Sequence, residues 1–308
     1  MKTLNVINGM NMLSRILALS FLVLVSCESD IEEQVAEQNI GEEAEISEEL
    51  RQTLEAEQVE FQGPKVTKVL FGTEVQVVSL GNGEYALADI ILSEENFDSE
   101  DESEQNRGVW DRRVTKWPNK TILYRYSSNM PQATKDKVIY AANYITDNTD
   151  LTVRKWKSSD NAGYVWVGYS ESSGCSAQLG YKNQKFPGQR MNLASGCSQG
   201  SAIHEFLHVA GIIHEQNHWN RDAYVEVLWS NILDDKEFNY FKVSDANGWE
   251  ISDVLDTNSI MMYGSYFFRT PQAISNGWRS MRRVDGSTIV PNRSYMTSKD
   301  IQIINAVY

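Results

Sequence analysis

An α+β fold is expected for the C-terminal two-thirds of this 308-residue chain, behind a small N-terminal segment of different character. Three observations predict it. Strand-like and helix-like patterns follow one another without any repeat, charge changes sign at one point in the chain, and every histidine falls in one short stretch. The composition, 41% hydrophobic and 23% charged, is that of an ordinary globular protein.

Charge places the boundary. The net charge of -14 is concentrated in residues 28–107, which hold 23 acids and 4 bases; residues 108–308 hold 22 bases and 19 acids. A field of that overall sign repels phosphate backbones, so nucleic-acid binding is not expected. The chain thus divides into residues 1–27, an acidic segment and linker over 28–107, and a slightly basic domain over 108–308. The acidic part is either a solvated tail or a removable pro-segment lying over the domain.

Residues 1–27 read as an export signal, because Arg15 precedes an apolar run over 16–25 that is too short to span a bilayer. Leu24-Val25-Ser26-Cys27 resembles a bacterial lipobox, with Cys27 as a candidate for lipidation. A protein outside the cytoplasm, secreted or tethered at the cell envelope, is the expectation. In such an oxidising compartment Cys175 and Cys197, 22 residues apart, are expected to pair. Closing that loop stabilises the fold by roughly 3 kcal/mol.

Along the acidic part, residues 31–54 suit a solvated helix more than a packed one. Residues 65–80 alternate around Val66, Val69, Phe71, Val75 and Val77 between turn signals, a strand or hairpin pattern. Residues 93–106 are polar and read as a protease-accessible linker leading to Arg107-Gly108. Beyond it, a strand over 121–126, an amphipathic helix over 132–148, and strands near 151–155 and 164–169 give β-α-β-β ahead of the cysteine loop.

The chemistry is concentrated in the run from Ser201 to Glu215. All 4 histidines, His204, His208, His214 and His218, lie in it or just after it. Residues i and i+4 of a helix share a face, so His204 and His208 point two imidazoles at one spot. Gly211 can take positive φ, which lets the helix end and His214 swing round as a third ligand. Three imidazoles with an open fourth position describe a catalytic zinc site, one ion per chain, with Glu205 placed as base for the metal-bound water. His218 lies past the helix and is not expected to be a fourth ligand. Downstream, Ser259-Ile260-Met261-Met262-Tyr263 matches a methionine turn, with Met261 as the apolar floor under the metal.

These motifs together resemble the astacin family of metzincin zinc endopeptidases, in a bacterial type carrying a signal and a pro-segment. The resemblance covers residues 108–308 and includes Trp117-Pro118, Ser173-Gly174-Cys175, Cys197, the His204-to-Glu215 motif and Ser259-to-Tyr263. It implies a two-lobed α+β domain with a zinc-binding helix and Met-turn, acting on proteins or peptides and held latent by its own pro-segment. It also implies that Tyr263 stabilises the oxyanion and that Glu215 receives the new N-terminus after activation; the acidic linker, the lone Arg107 ahead of Gly108 and the charge reversal there make Arg107-Gly108 the expected cut. Ser176, Ala177, Gln178 and Leu179 would form the strand that pairs with substrate.

Two departures bear on latency and specificity. The family's zinc-blocking Phe-x-Gly-Asp motif reads Phe61-Gln62-Gly63-Pro64 here, and proline cannot coordinate metal. Cys27, if not lipidated, and Glu60 are left as candidate blocking groups. Arg279, Arg282 and Arg283 are candidates for a cationic wall that would favour acidic side chains. The alternatives to a peptidase are a catalytically silent zinc-binding surface module and a zinc hydrolase of a non-peptide bond.

Overall fold

A computed structural model describes residues 46–98, 115–243 and 254–308. The expected signal, Cys27 and the Arg107-Gly108 cleavage site lie outside the described residues. Among those described, no helix is long and apolar enough to cross a membrane.

The N-terminal part opens with helix α1 (Glu48–Glu57), capped by Ser47, whose side chain accepts from the Leu50 N–H. Four strands follow: β1 (Lys65–Leu70), β2 (Thr73–Gly81), β3 (Glu84–Leu87) and β4 (Ile90–Ser93). They form an antiparallel meander. The hairpin expected over 65–80 is β1 and β2. The expectation of a solvated leader helix is corrected, because Thr53, Leu54 and Glu57 in α1 are buried. Polarity along 31–54 concealed this, since the buried residues sit on one stripe at the end of an otherwise hydrophilic helix. The expectation of a linker over 93–106 is corrected for its first residues: Ser93 closes β4, and Asn96 and Phe97 are buried.

The C-terminal part supplies β5 (Thr121–Tyr126), α2 (Gln132–Asn148), β6 (Thr152–Lys155), β7 (Val165–Gly168), β8 (Cys175–Gln178) and β9 (Gln189–Leu193). The strand and helix expected over 121–126 and 132–148 have those bounds. Helix α3 (Gln199–Val209) follows, capped by Ser198. Then come β10 (Val225–Val227), a short α4 (Pro271–Ser275), β11 (Met281–Arg283) and the closing helix α5 (Ser298–Val307).

Nine strands share one sheet in the order β1-β2-β3-β4-β8-β9-β7-β5-β6. The acidic segment therefore contributes the first four strands of a sheet whose other five belong to the C-terminal domain. The junction is the parallel pair β4 and β8, with Ile90 opposite Ala177 and Ile91 opposite Gln178. One core lies where α2 and α3 pack on the sheet, around Ile122, Val138, Ile145, Val165, Phe206 and Leu207. A second joins the meander to the domain, with Val75, Val77, Ile90 and Leu92 packed beside Leu179, Ile213 and Phe241. Cys175 and Cys197 are bonded, Cα to Cα 5.9 Å, tying the start of β8 to the loop that enters α3.

Candidate metal centre

Helix α3 is buried from Gly200 to Val209, and His204 and His208, one turn apart, face the same point as expected. The helix stops at Val209. Gly211 has φ of 99°, a conformation that suits glycine, and its N–H is bonded to the His208 carbonyl at 2.8 Å. From there the chain returns His214 to the cluster: ring centroids of His204 and His208 stand 4.6 Å apart, and those of His208 and His214 4.7 Å.

The tautomers suit a metal. His204 Nδ1 is 2.8 Å from the Ile260 carbonyl and His208 Nδ1 is 2.7 Å from that of Ile212, contacts that require each Nδ1 to carry the proton. The Nε2 lone pairs are left pointing inward. All three Nε2 atoms are buried and have no hydrogen-bond partner. Burial pushes His208 well below the ordinary imidazole range and lowers His214 too, so both favour the neutral form that ligates metal.

The fourth member of the cluster was not anticipated. Asp89, in the turn between β3 and β4, is buried and places its carboxylate 3.4 Å from His204 Nε2, 3.1 Å from His214 Nε2 and 3.9 Å from His208 Nε2. The four ligand atoms lie within 4.8 Å of one another. Ligands at about 2.1 Å around a tetrahedral zinc stand roughly 3.4 Å apart, so this spacing fits one ion. The orphaned Nε2 atoms and the unpartnered Asp89 Oδ1 are what such an ion would satisfy.

A sequence signal for Asp89 did exist. It is the one charged residue between Ala86 and Leu92, in an otherwise apolar run, and a carboxylate buried there requires a strong partner. The candidate blocking residue Glu60 is corrected: its side chain is exposed and its ion-pair partner is Lys236, at 3.9 Å.

Glu205 follows His204 with both carboxylate oxygens buried and unpartnered, and burial, with Asp89 adding to it, pushes its carboxyl well up. Tyr263 is buried with its ring 4.6 Å from that of His214 and stacked on Phe267 at 4.7 Å. The turn that carries it is pinned by α5, where Asp300 accepts from Ser259 Oγ at 2.6 Å and from the Ile260 N–H at 3.1 Å. Met261 is buried in the same cluster as Ile203, Phe206 and Leu207. His218 sits outside the centre, its Nδ1 accepting from the Asn220 N–H.

Glu215 is adjacent to the ligand His214. Although the residue is only half-buried as a whole, its carboxyl is enclosed enough that burial pushes it up to about 8. Its Oε1 accepts from the Asp256 N–H at 2.8 Å.

The edge of β8 is covered by the meander. Ala177 N–H donates to the Asp89 carbonyl at 3.0 Å and Leu179 N–H to that of Ile91 at 3.1 Å, so Ser176, Ala177, Gln178 and Leu179 face a strand already in place. A second long-range contact was also missed. Glu57, at the end of α1, accepts from Arg293 Nε at 2.8 Å and from Ser201 Oγ at 2.9 Å, all three residues being buried. Arg293 also donates to the Ile260 carbonyl that holds His204. By contrast Arg279, Arg282 and Arg283 are engaged with their own surroundings, at Gly286, Glu226 and Thr257 respectively.

Residues 109–308 match the sequence profile of the astacin family, peptidase family M12A. The chain belongs to this family. It is 27% identical over 230 residues to zinc metalloproteinase nas-4 of Caenorhabditis elegans, covering 73% of this chain and 69% of that one. It is 29% identical over 206 residues to seminal metalloprotease 1 of Drosophila melanogaster, covering 64% of this chain and 78% of the other. Among solved structures, high choriolytic enzyme 1, a hatching-enzyme zinc protease from the medaka fish Oryzias latipes, superposes with a TM-score of 0.52 at 26% identity, covering 63% of this chain and 92% of that one. The chain is an astacin-family zinc metalloendopeptidase with an astacin-like α+β fold. Zinc is its metal, and the three histidines with Asp89 form a cluster able to hold it.

Proposed function

We propose that this astacin-family protein is an exported endopeptidase made as a zymogen, in which residues 28–107 are the pro-segment and Asp89 fills the metal's fourth position. The observation that carries this reading is the Asp89 carboxylate facing the three Nε2 atoms from a segment N-terminal to the matched domain. Zinc held by His204, His208 and His214 would act as a Lewis acid on the peptide carbonyl and on water. Glu205 accepts the proton of the attacking water and passes it to the leaving amine. Tyr263, beside His214, donates to the oxygen on which negative charge develops. Met261 closes the floor of the centre.

Substrate binding requires the edge of β8, so the pro-segment must leave both the metal and Ser176 to Leu179. A cut at Arg107-Gly108 frees it and creates an amino group. That group meets Glu215, an enclosed carboxylate with no ion-pair partner among the described residues, and fixes the loops beside His214. The 1–27 signal, with or without lipid on Cys27, places the protein outside the cytoplasm. Its substrates are proteins or peptides.

The test pairs activity with sequencing. Casein hydrolysis should be abolished by a chelator and restored by zinc, and the active species should begin within a few residues of Gly108. An active species still beginning at or before Cys27 would refute the zymogen scheme.

Tyr263→Phe removes only the hydroxyl. If Tyr263 serves the oxyanion, kcat should fall about 100-fold with little change in KM, because the lost bond exists mainly in the transition state. Steady-state kinetics on one peptide decide it, and a loss confined to KM would assign the residue to binding instead.

A further inference from the structure

Four residues past the C-terminal end of β8 stands a basic side chain, Lys182, whose ammonium partners all come from the acidic segment. Lys182 Nζ donates to Ser93 Oγ at 2.7 Å, Asn96 Oδ1 at 2.8 Å and Glu95 Oε1 at 3.0 Å. That accounts for all three ammonium protons. The Lys182 side chain is 5% exposed, and burial lowers its pKa against the pull of Glu95. On the same wall, Gln178 Nε2 and Arg190 both grip the Glu84 carboxylate, another acid of the N-terminal segment.

Direction follows from the strand pairing. Asp89 stands at the metal centre and Ser93 reaches Lys182, four residues or about 13 Å further along β4 at about 3.3 Å per residue. Because β4 and β8 are parallel, β8 also runs from the metal toward Lys182. A peptide paired antiparallel to β8, the slightly more stable arrangement, runs from Lys182 toward the metal. Its residues near Lys182 therefore precede the bond to be cut. The acidic segment lies in the opposite sense.

We propose that Lys182 is a specificity-determining residue of the mature enzyme, selecting peptides with a carboxylate about four residues before the scissile bond. This rests on the zymogen-peptidase reading above. When the segment leaves, the ammonium loses three acceptors together while remaining on the wall of the cleft. A substrate carboxylate reaching it makes a charge-assisted bond that an amide side chain cannot match.

The test uses mature enzyme and two fluorogenic peptides that differ only in Glu or Gln at the fourth position before the cleaved bond. Wild type should favour the Glu peptide about tenfold in kcat/KM, the size of one hydrogen bond to a charged group, and less at high salt. The ratio should fall near one in K182Q, and in K182E a third peptide with Lys at that position should become preferred. Zinc content and thermal unfolding of both variants establish that they are folded. Equal rates on the Glu and Gln peptides with wild type, or a Glu preference that persists in K182E, would overturn the proposal. Cleavage of none of the peptides by wild type would instead defeat the peptidase reading itself.

Discussion

Glu205→Ala is expected to keep one zinc per chain and lose peptidase activity by about 10³- to 10⁴-fold, at the upper end of what a general base contributes. The separation of the two readouts follows from the geometry. Glu205 is a neighbour of His204 in α3 but is not one of the four ligand groups, and both its oxygens are unpartnered, so truncating it leaves the imidazoles and their carbonyl partners in place. Metal analysis alongside peptide hydrolysis checks it. Loss of zinc from this variant would make Glu205 a structural residue, and retained activity would move the base elsewhere. A silent zinc-binding module would show no difference between wild type and variant.

Asp89→Ala addresses latency. Among the described residues Asp89 is the only carboxylate in the cluster, so its removal should open the metal's fourth position while leaving three histidine ligands. The intact, uncleaved variant is expected to hydrolyse a small fluorogenic peptide at least about tenfold faster than intact wild type, which corresponds to weakening the block by about 1.4 kcal/mol. Substitution leaves the β4–β8 pairing and the Glu57–Arg293 ion pair in place, so activity short of the mature level is expected. An intact variant as silent as wild type, with zinc bound, would show that strand coverage rather than Asp89 maintains latency.

What was legible in the sequence was what local geometry dictates. The i, i+4 spacing of His204 and His208 requires only a helix, and Gly211 supplies the bend that any third ligand at 214 needs. The bounds of β5 and α2 followed from hydrophobic periodicity in the same way. The contacts of the N-terminal segment were illegible because they join distant positions. Asp89 meets its histidines more than 100 residues later, and Glu57 meets Arg293 236 residues away. Nothing near either acid marks the partner. The nine-stranded sheet was hidden for the same reason: pairing of β4 with β8 is a parallel junction of two short strands, two residue pairs long, with no turn to announce it.

One measurement bears directly on the central claim, that a single zinc is held by three histidines and capped by Asp89 in the uncleaved protein. Anomalous diffraction at the zinc edge from crystals of the full chain should place one ion about 2.0–2.2 Å from the Nε2 atoms of His204, His208 and His214 and from a carboxylate oxygen of Asp89. An ion ligated by fewer than three of these histidines, or a fourth position filled by a residue other than Asp89, would contradict it.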